Sequence, residues 1–170
     1  SAIYAPSRIH IRNCDFRANA GHIRGSSTSG GVIWFASGSS GSSVSNCTFI
    51  ANLDRNSNGG TGAKQGGPIV LKLGSSTQYV NIYGSTFAYN LADGTEAAGG
   101  ITAMIGTANI KNCVFGGNHI RRGATKNSSD IKVGDSGVVN ISYSVLGYDR
   151  DNSVYCNETG VYNEGAGVIY

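Results

Sequence analysis

Ten carboxylates, three histidines and thirteen Lys or Arg are the charged and titrating groups from which acid–base or electrostatic chemistry would be built. A glycoside hydrolase needs two carboxyls about 5 to 9.5 Å apart. Asp54 and Asp93 come nearest to sharing a position, two and three residues after a recurring asparagine, and a solvated pair of loop carboxylates is their simpler reading. A lyase needs a cationic base beside groups that neutralise a substrate carboxylate. Counting three residues past each recurring asparagine gives His22, Arg55, Asp93 and Arg121, a mixed row suited to an acidic glycan and equally to solubilising charge at loop roots. The run Asp149-Arg-Asp-Asn152 lacks the glycine and distal glutamate of a calcium loop. The four cysteines show no zinc spacing, and no Gly-x-Ser-x-Gly elbow occurs. The sequence therefore assigns no catalytic residue, no metal ligand and no cofactor, and an enzyme is the less favoured reading.

The composition sets what can position such groups. Of 170 residues, 26 are Gly, 21 Ser, 16 Asn and 10 Thr, with two Pro and few of the long helix formers. Hydrophobic residues make up 39%, enough for a core, so an all-β chain is expected rather than a disordered one. The net charge of +3 is scattered, with Arg121-Arg122 the one basic doublet, which argues against a nucleic-acid partner. No apolar run approaches the roughly 20 residues of a membrane span, and no signal peptide opens the chain, as in a mature or excised protein.

Internal repeats organise the sequence. Four segments align: Ile11-Arg-Asn-Cys14-Asp-Phe16-Arg-Ala-Asn19, Val44-Ser-Asn-Cys47-Thr-Phe49-Ile-Ala-Asn52, Ile82-Tyr-Gly-Ser85-Thr-Phe87-Ala-Tyr-Asn90 and Ile110-Lys-Asn-Cys113-Val-Phe115-Gly-Gly-Asn118. A degenerate fifth runs from Ile141 to Leu146. Between them recur Gly30-Gly-Val-Ile, Gly66-Gly-Pro-Ile and Gly99-Gly-Ile-Thr, with Ser129-Asp-Ile-Lys-Val133 as a weaker fourth. Preserved motifs at unequal spacing predict a solenoid whose loops vary while its strands stack. The longest inserts, Leu53 to Gln65 and Leu91 to Ala98, are expected to leave it as loops on one side. The fold expected is a right-handed parallel β-helix of about five coils: one domain over 1–170, with repeats at about 8–147 and 148–170 as a partial coil or cap, and open to being a fragment of a longer solenoid.

The residue types assign positions within a coil. Asn13, Asn46, Gly84 and Asn112 precede the cysteine row, and Asn alternating with Gly marks a left-handed corner. Cys or Ser and then Phe form interior rows. Asn19, Asn52, Asn90 and Asn118 read as a structural amide ladder. Cys14 and Cys47, one coil apart, fall within the separation a disulfide allows, against the alternative of free buried thiols. In the Gly-Gly strands, taking Ile33, Ile69 and Thr102 as inward leaves Val32, Trp34, Val70 and Ile101 outward, an apolar row that marks an interface or a face covered by the chain itself. A register with Ile101 and Ala103 inward weakens that inference.

These paired Phe-x-x-Asn and Gly-Gly-x-Ile motifs resemble the repeats of polymorphic outer-membrane proteins and related right-handed β-helix proteins of the pectate-lyase-like superfamily. Val32, Pro68 and Ile101 replace the alanine typical of the outer-membrane form. The resemblance implies the fold and, for function, either surface adhesins and stalks or polysaccharide lyases and hydrolases. A secreted or cell-surface structural and adhesive module without catalysis, self-associating or holding a surface protein or glycan partner, is the expectation. The alternative is a lyase, hydrolase or binding domain for acidic carbohydrate.

Overall fold

The motif Asn-Cys-x-Phe builds a sharp corner between two short strands. Asn13, Asn46, Gly84, Asn112 and Tyr143 have φ of 54°, 52°, 54°, 54° and 49°, the left-handed region that Asn and Gly enter most readily. A second corner comes just before the recurring asparagine, where Ala18, Ala51, Tyr89 and Gly117 have φ of 51°, 55°, 55° and 62°. Ala and Tyr enter this region at about 1–2 kcal/mol each, so packing and hydrogen bonding, not residue preference, hold the second corner.

The structure, a computed structural model, describes residues 3–23, 31–56, 65–93, 96–121, 130–148, 150–156 and 159–170. Every pairing between its strands is parallel, each repeat adding one strand to each line. One line holds Asp15–Arg17, Thr48–Ile50, Thr86–Ala88 and Val114–Gly116, a second Ala20–Ile23, Leu53–Asn56, Leu91–Asp93 and His119–Arg121. The ten-stranded sheet has two lines, one starting at Ile3–Ala5 and one at His10–Arg12, which the long strands Ile101–Lys111 and Ile131–Ser142 cross and join. Val154–Cys156 and Val161–Glu164 extend these two lines, pairing with opposite halves of Ile131–Ser142. One helical turn, Arg150–Ser153, lies between repeats. The described residues are thus all-β apart from that turn, their parallel strands forming a curled sheet compatible with a β-helix or solenoid. The segments expected as loops begin and end as strands: Leu53–Asn56 and Leu91–Asp93 continue the stack, and Gln65–Gly66 pairs with Glu96–Ala97.

The core follows from stacking identical side chains. Phe16, Phe49, Phe87 and Phe115 lie in register, with ring centroids 4.8, 4.9 and 4.9 Å apart and planes within 8° of parallel. That separation is the spacing between hydrogen-bonded strands, about 4.8 Å, so backbone pairing sets the ring stack. Leu146 continues the row as a buried residue. Alternation along the neighbouring strands puts Val44, Ile82, Ile110 and Ile141 inside. The Gly-Gly pairs sit where chains nearly touch: a Cβ on Gly67, at φ +124°, would lie 2.2 Å from the Ala98 carbonyl oxygen, and one on Gly100 would lie 2.3 Å from that of Asp130.

Candidate functional site

His22, Arg55, Asp93 and Arg121 occupy one position on four adjacent strands. Backbone pairing sets His22 beside Arg55 and Asp93 beside Arg121, and Leu53 beside Leu91 joins the two halves. Their side chains lie outside what the structure describes. Asp54 is one step out of this register, beside Gly21 on one side. By backbone register, Asp54 and Asp93 therefore do not share one position. Asp54 is buried instead, lining a cavity of about 140 Å³ with Asn52, Gly67 and Pro68. Gly66 passes so near that a Cβ there would meet Asp54 Oδ2 at 2.2 Å.

The apolar row is not an open face. Ile33, Ile69, Ile101 and Ile131 pair in register within the core, so Ile101 is inward and Thr102 takes the outward position in line with Trp34 and Val70. Val32, Trp34 and Val70 are also buried. Trp34 and Val70 form a separate small cluster with Ala36 on the other side of the sheet. The chain's own outgrowths supply part of the cover: Thr102 Oγ1 donates to the Gly66 carbonyl at 2.6 Å and accepts from the Ala98 amide at 3.0 Å. Farther along the line, Lys132 is buried, its ammonium 3.8 Å from the centroid of the Tyr155 ring. The ring face attracts the buried cation electrostatically.

Cys14 and Cys47 are free thiols. Each Sγ donates to the carbonyl two residues earlier, Cys14 to Arg12 and Cys47 to Ser45, both at 3.2 Å. Ser85 and Ser144 make the same bond through Oγ, to Tyr83 and Ser142 at 2.9 Å, which is why Cys and Ser exchange in this row. The serine oxygens also accept from the amides of Cys47 and Cys113. Burial pushes the Cys47 thiol up, and that of Cys113 to about 11, so neither is a ready nucleophile at neutral pH.

Asn19, Asn52, Asn90 and Asn118 form a one-directional chain of hydrogen bonds. Each of the first three donates from Nδ2 to Oδ1 of the next, at 2.9, 2.9 and 3.0 Å. The second Nδ2 proton of Asn52, Asn90 and Asn118 goes back to the carbonyls of Phe16, Phe49 and Phe87. A chain of donors pointing one way has to end on an acceptor. Asp130, fully buried, is that end: Oδ1 accepts from Asn118 Nδ2 and Oδ2 from the Gly147 amide, both at 2.9 Å. It precedes Ile131 as Gly100 precedes Ile101, Pro68 precedes Ile69 and Val32 precedes Ile33, so the one available signal was a carboxylate standing where the earlier repeats have uncharged residues.

Burial holds the Asp130 carboxyl above its ordinary 3.8, opposed by hydrogen bonds from Asn118, Gly147 and Ser153 and by the nearby His119. The folded chain therefore keeps this proton at pH values where the unfolded chain has released it. Stability from this group is fully present below 3.8 and is lost as pH rises through the folded value. Urea unfolding followed between pH 3.8 and neutrality is expected to show this fall, and Asp130→Asn, which keeps an acceptor for Asn118, to remove it. Identical pH profiles for the two proteins would contradict the assignment.

A second amide row, unmarked by the repeat motifs, faces outward. Asn81, Asn109, Asn140 and Asn163 are consecutive in register. Here each later residue donates to the earlier one: Asn109 to Asn81 at 3.0 Å, Asn140 to Asn109 at 2.9 Å, Asn163 to Asn140 at 2.8 Å. The row continues through Ser43 to His10, whose Nδ1 lies 2.8 Å from Ser43 Oγ. It floors a groove of about 470 Å³ edged by Tyr83, Lys111 and Glu164. Each inner amide spends one N–H and one lone pair on the row, leaving one donor and one acceptor per repeat for a ligand. Lys111 lies 5.4 Å from the Tyr143 ring centroid, and Tyr170 donates its hydroxyl proton to Glu164.

No family model matches the chain, and no curated protein or solved structure matches it either. Among the described residues no group of three or more His, Cys, Asp or Glu is arranged to hold a metal ion. No helix among them is long and apolar enough to cross a membrane.

Proposed function

We propose that this chain is a right-handed parallel β-helix of about five coils, of the kind it resembles in the polymorphic outer-membrane and pectate-lyase-like repeats. It serves as a secreted or cell-surface structural and adhesive module without catalysis. The observation that carries the adhesive reading is the outward amide row. Its donors and acceptors repeat at the strand spacing of about 4.8 Å, held in place by their mutual bonds. Tyr79 and Tyr83 flank Asn81 on the same outward side and are 42% and 39% exposed. Amides with tyrosine rings suit a partner that offers hydroxyls and apolar C–H faces together, as an extended glycan does. The strands beneath Asn81, Asn109 and Asn140 are paired on both sides, so a peptide has no free backbone edge to join there.

The other reading, a lyase, hydrolase or binder of acidic carbohydrate, draws support from the common register of His22, Arg55, Asp93 and Arg121. One experiment separates the two. The protein is titrated with neutral β-linked hexasaccharides and with hexagalacturonate, and each mixture is assayed for unsaturated products and new reducing ends. Binding without turnover, weakened about tenfold by Tyr83→Ala, is the expected result. Turnover of hexagalacturonate, lost in Arg121→Ala, would replace the adhesive reading with the enzymatic one.

A further inference from the structure

The small-residue row runs Cys14, Cys47, Ser85, Cys113 and Ser144, one residue per layer, each just before a position that pairs in register. Cys14 and Cys47 are the members that put cysteines on adjacent layers. Ser85 separates Cys47 from Cys113, and Ser144 follows, so Cys113 has serine on both sides. The row therefore holds one pair of neighbouring thiols.

The backbone sets these two residues side by side. Asp15 pairs with Thr48, and the Thr48 amide donates to the Cys14 carbonyl at 2.9 Å. Adjacent strands lie about 4.8 Å apart, inside the range of about 4.4–6.8 Å between α-carbons that a disulfide spans. The Cys47 sulfur leans toward its neighbour's layer. Its Sγ donates to the Ser45 carbonyl of its own layer at 3.2 Å and lies 3.9 Å from the carbonyl of Ile11, in the layer that holds Cys14. Burial raises the Cys47 thiol most, and the charge and side chain of Cys14 raise it further, so the two thiols act on each other across the layer step. Turning the sulfurs together gives up the S–H bonds to Arg12 and Ser45, which are weak ones. A disulfide also wants its β-carbons about 3.5–4.5 Å apart, closer than the strand spacing, so both side chains must lean inward and the bond carries strain. Strain of this kind makes a disulfide easy to reduce.

We propose that Cys14 and Cys47 form a reversible disulfide that staples their two layers under oxidising conditions and opens under reducing ones. The oxidant is a small disulfide of the glutathione class. One cysteine thiolate attacks it, forming a mixed disulfide and releasing one small thiolate; the other cysteine thiolate attacks the protein sulfur of that mixed disulfide and releases the second. The two cysteine protons end on the two small thiols, and the two electrons lost by the protein are those the small disulfide gains. Exchange takes place as the layers assemble, before Cys47 is sealed in the core. The staple joins the strands whose rings, Phe16 and Phe49, stack at 4.8 Å and whose Asn19 and Asn52 share a bond of the inner ladder. A disulfide suits the secreted setting proposed above, and it stands apart from the amide groove and from any glycan bound there.

Refolding the full chain in mixtures of reduced and oxidised glutathione, followed by alkylation, digestion and mass spectrometry, tests it. The expected result is a peptide pair linking Cys14 to Cys47, with the thiols titrated in urea falling from the four of the sequence to two as oxidised glutathione increases. The oxidised chain should unfold at a higher urea concentration than the reduced one, and dithiothreitol should reverse the shift. Cys47→Ser should abolish the link and the shift together. Serine already makes the same bond at Ser85 and Ser144, so this variant keeps the fold, and Cys14→Ser gives a second check. Cys113→Ser should leave the link and the shift in place. Four reactive thiols at every glutathione ratio, glutathione held on one cysteine without a cross-link, a link through Cys113 or Cys156, or a cross-linked chain no more resistant to urea than the reduced one would each overturn the proposal. A chain that cross-links as described but binds no hexasaccharide would support the staple and overturn the adhesive reading alone.

Discussion

Asn90→Ala is expected to lower the free energy of unfolding by about 4 kcal/mol, with each buried hydrogen-bonding group left unmatched costing about 1–3 kcal/mol. Asn90 Oδ1 accepts from both the amide and Nδ2 of Asn52, while its own Nδ2 donates to the Phe49 carbonyl and to Asn118 Oδ1. Asn52 Nδ2 keeps its bond to Phe16 after the substitution, but the buried Asn52 amide loses its acceptor. The same change at the end of the ladder is far milder. Asn19 is half-buried and its side chain makes one bond, to Asn52, so Asn19→Ala should cost about 1 kcal/mol. Urea denaturation followed by circular dichroism measures both, with the fluorescence of Trp34, the one tryptophan, as a second probe. In a stack where each layer touches only its neighbours, loss at Asn90 also uncouples the two halves, so the transition should broaden. Equal costs at Asn90 and Asn19 would refute the ladder as a continuous structural element.

Phe87→Ala is the second large effect, about 3–5 kcal/mol. The ring lies between those of Phe49 and Phe115 at 4.9 Å on both sides. Strand pairing fixes this spacing, so the neighbouring rings have little freedom to close the gap. Phe16→Ala removes a ring with one stacked neighbour that is already half-exposed and should cost about half as much. Phe87→Leu, which refills most of the volume, should recover much of the loss. If Phe87→Ala were no worse than Phe16→Ala, the stack would not be acting as the core of the chain.

What is legible in the sequence alone depends on repetition. A residue type that recurs at one position reports a recurring environment, which is why Asn13, Asn46 and Asn112 marked the left-handed corner and the phenylalanines marked the interior row. The second corner carried no such mark, because Ala18, Ala51 and Tyr89 are there for the hydrogen bonds and packing on either side and not for their own preferences. The outward row of Asn81, Asn109, Asn140 and Asn163 was missed for another reason. Its members sit in strands of different length and dissimilar sequence, and only the pairing of those strands aligns them.

The Gly-Gly strands show the limit most clearly. Alternation of apolar and polar residues tells inside from outside only when one face meets water. Trp34 and Val70 are buried on the side away from the core, so both faces read as apolar and the parity of Ile101 could not be chosen from composition. Asp130 was likewise an ordinary carboxylate until the direction of the ladder was known. The sequence by itself determined that the chain repeats, that its repeats are β, and which residues turn the corners and fill the Phe row. The tertiary structure decided which face each Gly-Gly strand presents, where the ladder stops, and which amides meet across repeats. Those outcomes depend on register between strands about thirty residues apart, and hydrogen-bond pairing sets that register one layer at a time.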